Sequence, residues 1–161
     1  PPDTVGSHVS ASPNHQTGRR TSLDTRAAAA MPGTFGYELD PETLDDLERE
    51  EIRGMNQLYR DLQPLIFHGR YYRLTNPGQG MALWEIADDD RVLVQGLVYE
   101  TEPNALRRRV RLRGLDPKAV YRDADGMRRT GQALMTGGLL LPLTSGTDAP
   151  VTVILEREKT Q

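Results

Sequence analysis

Hydrophobic positions change their spacing twice along the chain. Val5 and Val9 alternate with polar neighbours over Thr4 to Ser10, which predicts a short buried strand. Ser12-Pro13-Asn14 breaks it. From Ser22 the pattern turns helical: Ser22 stands at a cap position, Asp24 in the first turn suits the helix dipole, and Ala27 to Ala30 are strong helix formers. Pro32-Gly33 stops this helix, so the first forty residues predict one strand, one loop and one helix. The strand lies at the amino end with no neighbour predicted beside it, and a parallel strand needs partners from other βα units. The expectation is that the chain is the tail of something longer.

Asp40-Pro41-Glu42 signals a second helix start. Leu44, Leu47, Ile52, Met55, Leu58, Tyr59 and Leu62 define one apolar face, and Asp45, Asp46, Glu48, Arg49, Glu50, Arg53 and Arg60 define a charged one. Pro64 is expected to end this helix.

Beyond Gly69 the period becomes two. Arg70 to Leu74, Met81 to Ala87, Arg91 to Glu100, Leu106 to Arg113, Ala119 to Asp123, Leu139 to Leu143 and Val151 to Glu156 read as strands, with no helix between them. The breaks include Asn76-Pro77-Gly78, Asp88-Asp89-Asp90, Glu102-Pro103-Asn104, Asp116-Pro117, Asp125-Gly126 and Ser145-Gly146. Short strands at this spacing predict an antiparallel sandwich or barrel beginning near His68. Both faces of Val92 to Tyr99 are largely apolar, which predicts a central strand. Arg107, Arg109, Arg111 and Arg113 share one face of their strand while Val110 and Leu112 share the other.

Composition narrows the function classes. The 161 residues, with 37% hydrophobic and 27% charged content, suit one ordinary domain or one with a small appendage. A net charge of -3 argues against a nucleic-acid binder, and no run reaches the apolar length of a membrane span. The absence of cysteine excludes disulfides and thiolate metal sites.

Candidate chemistry concentrates in Val5 to Arg26, where His8, Ser10, Ser12, Asn14, His15, Gln16, Arg19 and Arg20 crowd the loop after the first strand. No Asp or Glu lies between Thr4 and Leu23, so neither a metal triad nor a Ser-His-acid arrangement is complete there, and no acid is placed to orient either histidine. No metal site and no cofactor are expected. Two readings stay open for His8, Asn14 and His15: groups that satisfy backbone in a structured loop, or groups that face a substrate. The arginine stripe has three: nucleic acid, pairing with the acidic helix around Glu48 to Glu51, or a solvated face that protects an edge. No aromatic residue is interleaved with it, so base stacking lacks support. Gly78-Gln79-Gly80 is a turn with no helix behind it to hold a phosphate. The adjacent acids at Asp45-Asp46, Glu50-Glu51 and Asp88-Asp89-Asp90 sit on exposed-looking elements, unlike the apolar pocket that acid–base work needs.

GSHVSASPNHQTGR followed by TSLDTRAAAAM, then FGYELD, then a helix ending in YRDLQPLI, resembles the carboxyl-terminal part of bacterial α-galactosidases of glycoside hydrolase family 36. FHGRYYRL, the Glu102 to Asn104 turn and RLRGLDPKAVYR agree in order, while VTVILEREKTQ is less similar. The resemblance implies an α+β chain. Residues 1–40 would be the last βα unit of a (β/α)8 barrel, 41–66 an amphipathic linking helix, and 67–161 a C-terminal antiparallel β-sandwich. It places Val5 to Ser10 as the last barrel strand and His8, Ser10, Asn14 and His15 in the wall of a substrate site at the carboxyl ends of the strands. It further implies a retaining glycosidase acting on melibiose- or raffinose-type α-galactosides, with both catalytic aspartates on barrel strands not represented here. The parent enzyme would be cytoplasmic and homo-oligomeric, without cofactor, nucleic acid or membrane partner, and this chain alone would be inactive. The alternative from another class is a non-catalytic carbohydrate-binding or structural β-sandwich module, which has no use for the amino-terminal strand and loop.

Overall fold

The computed structural model describes residues 2–76, 78–100, 107–141 and 148–159. The expected turns at Glu102-Pro103-Asn104 and Ser145-Gly146, the Pro77 position and the strand ends at Leu106 and Pro142 to Leu143 lie outside them. The chain forms two compact units, Pro1–Phe67 and His68–Gln161. Helices and mostly antiparallel strands make it an α+β chain.

The first unit opens with β1 (Gly6–Ser10), α1 (Leu23–Ala30) and β2 (Thr34–Glu38). β1 is not solitary. β2 pairs with it in parallel from Gly6 opposite Thr34 to Ser10 opposite Glu38, so the expected single βα unit is a βαβ unit. The strand at Thr34–Glu38 was missed because Gly36 interrupts its apolar alternation, leaving only Phe35 and Tyr37. Those two rings join Val9 on the face that α1 covers with Leu23, Ala27 and Ala30. Phe35 meets Tyr37 edge to face at 5.2 Å and Tyr59 at 5.1 Å. Tyr59 Oη donates to the Gly33 carbonyl at 3.0 Å and accepts from the Phe35 amide at 3.3 Å, fixing the turn from α1 into β2. That turn needs glycine: a Cβ on Gly33 would lie 2.2 Å from Ser7 Oγ and 2.6 Å from the Val5 carbonyl.

The second helix starts later than Asp40-Pro41-Glu42 predicts. Asp40 caps only a single 3-10 turn, Pro41–Thr43, through its carboxylate and the Glu42 amide at 2.9 Å. α2 (Asp46–His68) begins after a reciprocal cap in which the Glu48 amide donates to Asp45 Oδ1 at 2.8 Å and the Asp45 amide donates to Glu48 Oε2 at 3.2 Å. This later start leaves Leu47 in the first turn, 77% exposed and off the apolar face it was expected to join. Pro64 does not end the helix either. It is exposed inside α2, flanked by buried Leu62, Leu65 and Ile66, whose packing outweighs the roughly 3 kcal/mol cost of an interior proline.

The second unit contains β3 (Arg70–Arg73), β4 (Met81–Ala87), β5 (Arg91–Val98), β6 (Arg109–Val110), β7 (Val120–Arg122), β8 (Arg128–Thr130), α3 (Gly131–Thr136), β9 (Leu139–Leu140) and β10 (Ala149–Arg157). Six strands form one antiparallel sheet in the order β3-β4-β5-β10-β7-β8, and β6 and β9 form a separate antiparallel pair. β5 is central, as its two apolar faces predict, between β4 and β10. Leu83, Ala87, Val92, Val94, Val98, Val151 and Leu155 of the sheet share one core with Val110, Leu112, Leu134 and Leu139. β8 and α3 were not predicted. Asp123, Gly126 and Met127 close a tight β7–β8 hairpin, and Thr130 Oγ1 then caps the short helix by accepting from the Ala133 amide at 3.2 Å. The expected strand from Leu106 to Arg113 pairs only at Arg109–Val110, yet its alternation persists: Arg107, Arg109, Arg111 and Arg113 are exposed while Val110 and Leu112 are buried.

Candidate functional site

In the first unit, alternation along β1 and β2 separates two faces. Val9, Phe35 and Tyr37 point into the core under α1, so His8, Ser10 and Glu38 share the opposite face. His8 Nε2 lies 2.7 Å from Glu38 Oε2, with the two side chains 53% and 73% exposed. A pair this exposed adds little to stability, about 1 kcal/mol at most. Its consequence is orientation: with Nε2–H donating to Glu38, the neutral imidazole presents Nδ1 as an acceptor. This corrects the expectation that no acid is placed beside either histidine. Glu38 comes from β2, 30 residues along in sequence, and was visible only as part of FGYELD.

The loop that follows β1 is built on Asn14. Its Oδ1 accepts from the Gln16 amide at 3.0 Å, the Thr17 amide at 3.0 Å and the Thr17 hydroxyl at 3.1 Å. Its backbone amide donates to the Arg19 carbonyl at 2.9 Å, and its carbonyl accepts from Gly18 at 2.8 Å, with Gly18 at φ +68°. Asn14 therefore satisfies backbone, the first of its two readings. Ser12 Oγ holds the far side of the loop by accepting from the Thr21 amide at 3.2 Å. His15 sits on this frame and is exposed. Arg26 of α1 donates to the Ser10 carbonyl and, at 3.3 Å, to the Ser22 carbonyl, tying the helix start to the end of β1. Burial lowers the Arg26 pKa, opposed by the nearby Glu48 charge. Nothing in its sequence context marked Arg26 for this role. His8 and Ser10 thus share a face with Glu38, whereas Asn14 and His15 belong to the loop beyond it. The assembly offers acceptors and donors of the kind that hydroxyl groups engage. It holds no carboxylate pair poised for acid–base exchange among the described residues.

The second unit contains an acid that the adjacent-carboxylate search passed over. Glu85 is fully buried on β4, on the same strand face as Leu83 and Ala87. Burial pushes its carboxyl up to about 7, against the Arg113 amide, which donates to Oε2 at 2.8 Å, and the charges of Arg113 and Arg70. Oε1 has no partner among the described residues. Asp45, Asp46, Glu50, Glu51, Asp89 and Asp90 are all exposed, and Asp88 Oδ1 is occupied by the Asp90 and Arg91 amides at 2.9 and 2.6 Å in a turn. Among the described residues no cluster of three or more His, Asp or Glu side chains is placed to hold a metal ion, and no helix is long and apolar enough to cross a membrane.

Comparison with known proteins places both units. Residues 1–69 match the melibiase family model, and residues 81–155 match that of the glycosyl hydrolase family 36 C-terminal domain. The chain is 44% identical over 146 residues to the bifunctional alpha-galactosidase/sucrose kinase AgaSK of Mediterraneibacter gnavus, covering 88% of this chain and 16% of the relative. It is 40% identical over 149 residues to alpha-galactosidase AgaA of Geobacillus stearothermophilus, covering 90% and 20%. The solved galactosidase domain of AgaSK superposes with a TM-score of 0.94 over 98% of this chain and 22% of that one. A substituted form of AgaA solved in complex with raffinose, 36% identical, superposes at 0.89 over 95% and 22%. The chain therefore spans about a fifth of the length of these relatives. With both of its units matched by family models, the chain belongs to glycosyl hydrolase family 36.

Proposed function

We propose that the chain is the carboxyl-terminal part of a retaining α-galactosidase that hydrolyses terminal α-galactosides of the melibiose and raffinose type. Residues 1–40 then supply the closing strands of a (β/α)8 barrel, 41–66 the linking helix, and 67–161 a C-terminal antiparallel β-sandwich. The observation that carries this reading is the parallel β1–β2 pair, covered by α1 on one face and bare on the other, with His8, Ser10 and Glu38 on the bare face. A barrel covers the outer face of its parallel strands with helices, as α1 covers β1 and β2, and builds its site from polar groups at the carboxyl ends of the strands, where Ser10 and Glu38 lie and the Asn14 loop follows β1. A free-standing β-sandwich module has no need of it. The raffinose complex of AgaA supports the substrate class.

On this reading His8 and His15 contact galactoside hydroxyls, Asn14 shapes the loop that carries His15, and Glu38 holds the His8 ring. A retaining mechanism needs two carboxyl groups roughly 5 Å apart. No such pair lies on the bare face, so the catalytic aspartates belong to other strands of the parent barrel and the chain by itself is inactive. To test the wall, the matching segment of the Geobacillus enzyme is replaced by this chain, and the kinetics of His8→Ala and His15→Ala are compared with those of the unsubstituted hybrid. Loss of one hydrogen bond to a substrate hydroxyl lowers kcat/KM by about tenfold or more. Unchanged kcat/KM in both variants would remove them from the site.

A further inference from the structure

The second unit carries a surface cleft that the α-galactosidase reading does not use. The register of the sheet edge sets its form. β3 is the edge strand, Arg73 lies directly opposite Trp84 on β4, and Tyr71 lies opposite Ile86, so Tyr71, Arg73 and Trp84 project from one face of the sheet. Tyr99 reaches the same place from the end of β5, where its amide donates to the Gly80 carbonyl at 3.0 Å, and Asn76 reaches it from the β3–β4 turn. These residues line a cleft of about 400 Å³. That volume falls in the range of roughly 300 to 1,000 Å³ typical of small-ligand sites.

The composition of the walls selects the occupant. Three aromatic side chains, Tyr71, Trp84 and Tyr99, offer flat faces on which apolar C–H groups pack. Arg73 and Asn76 are both exposed and bring fixed forks of donors, together with one amide acceptor, to the same opening. Tyr71 remains 49% exposed despite its size. An occupant with one apolar ring face and a girdle of hydroxyl oxygens answers each of these features, and a pyranose has that form. A purely apolar ligand would leave the Arg73 and Asn76 groups unused, and an anion would have no use for three rings.

The geometry points to a saccharide-binding site on the second unit, in which Tyr71, Trp84 and Tyr99 stack on a pyranose ring and Arg73 and Asn76 bind its hydroxyls. All five residues belong to the second unit, so the site stands or falls separately from the His8–Glu38 face.

Trp84 is the only tryptophan in the chain, so its fluorescence reads the site directly. Titrating the 161-residue chain with raffinose is expected to change the emission saturably, with a dissociation constant of roughly millimolar order, while glycerol at matched concentration gives no saturable change. Tyr71→Ala and Arg73→Ala, both at exposed edge positions, are each expected to weaken the titration about tenfold, whereas Lys118→Ala, at an exposed position that does not line the cleft, leaves it as in the parent chain. The urea midpoint of each variant is recorded alongside. The inference is overturned if raffinose gives no saturable change, if glycerol reproduces it, or if Tyr71→Ala and Arg73→Ala, folded to the same midpoint, bind as the parent chain does.

Discussion

Glu85 is the residue where burial and charge are most at odds. Its carboxyl has an ordinary value of 4.5 and stands at about 7 in the folded chain, because burial disfavours the charged form more than the Arg113 amide and the Arg113 and Arg70 charges favour it. The sign follows from which state holds the proton. Well below pH 4.5 both states are protonated and the raised pKa of Glu85 costs no stability. As pH rises from 4.5 to about 7 the unfolded chain ionises first, so stability falls, and above that the penalty is constant at up to about 3 kcal/mol. The chain is therefore expected to have a lower urea midpoint at about pH 8 than at about pH 5, and E85Q, which keeps the acceptor for the Arg113 amide, should lose most of that difference. An equal pH dependence in E85Q would assign the effect elsewhere. Asn14 makes the opposite case, an exposed-loop side chain whose Oδ1 accepts three hydrogen bonds. N14A removes the acceptor of three hydrogen bonds, and the Gln16 and Thr17 amides should exchange with solvent about tenfold faster or more.

At the scale of elements, the reciprocal cap between Asp45 and Glu48 and the Tyr59 hydroxyl fix where α2 starts and how β2 is entered. Replacing Tyr59 with Phe keeps the ring contacts to Phe35 and deletes two hydrogen bonds, one to a carbonyl and one from an amide, and is expected to cost about 1–3 kcal/mol by denaturant unfolding. β1 has one strand partner and one bare face, whereas β5 is paired on both sides and buried through most of its length. Amides of Gly6–Ser10 should therefore exchange faster than those of Val92 to Val98, and equal protection would mean that the bare face is closed in solution. Long, strongly patterned elements were legible in the sequence: the amphipathic body of α2, β4, β5 and the arginine alternation. What escaped was decided by contacts distant in sequence or by elements too short to show a period. β2 carries a glycine at its middle, β8 has three residues, and α3 begins at a glycine that breaks the helical pattern. Pro64 argued for a helix end, and the buried leucines and isoleucine around it prevailed. The candidate site was half legible for the same reason. The loop residues announce themselves by density, but Glu38 reaches His8 only because β2 pairs in parallel with β1.

At the scale of the molecule, family 36 membership rests on matches to both units, and the two functional proposals fall on different ones. On the proposed reading the first unit offers a wall of polar groups and the catalytic pair comes from other strands. The second offers an aromatic cleft that needs no catalysis. The chain spans about a fifth of its relatives, and on the proposed reading what it contributes to hydrolysis appears only when the remaining barrel strands are supplied. The most direct measurement is hydrolysis of an aryl α-galactoside, assayed in parallel for the 161-residue chain alone and for the Geobacillus enzyme whose matching segment it replaces. The expected result is no turnover by the chain alone and turnover by the hybrid. Turnover by the chain alone, or a cooperatively folded hybrid with none, would contradict it.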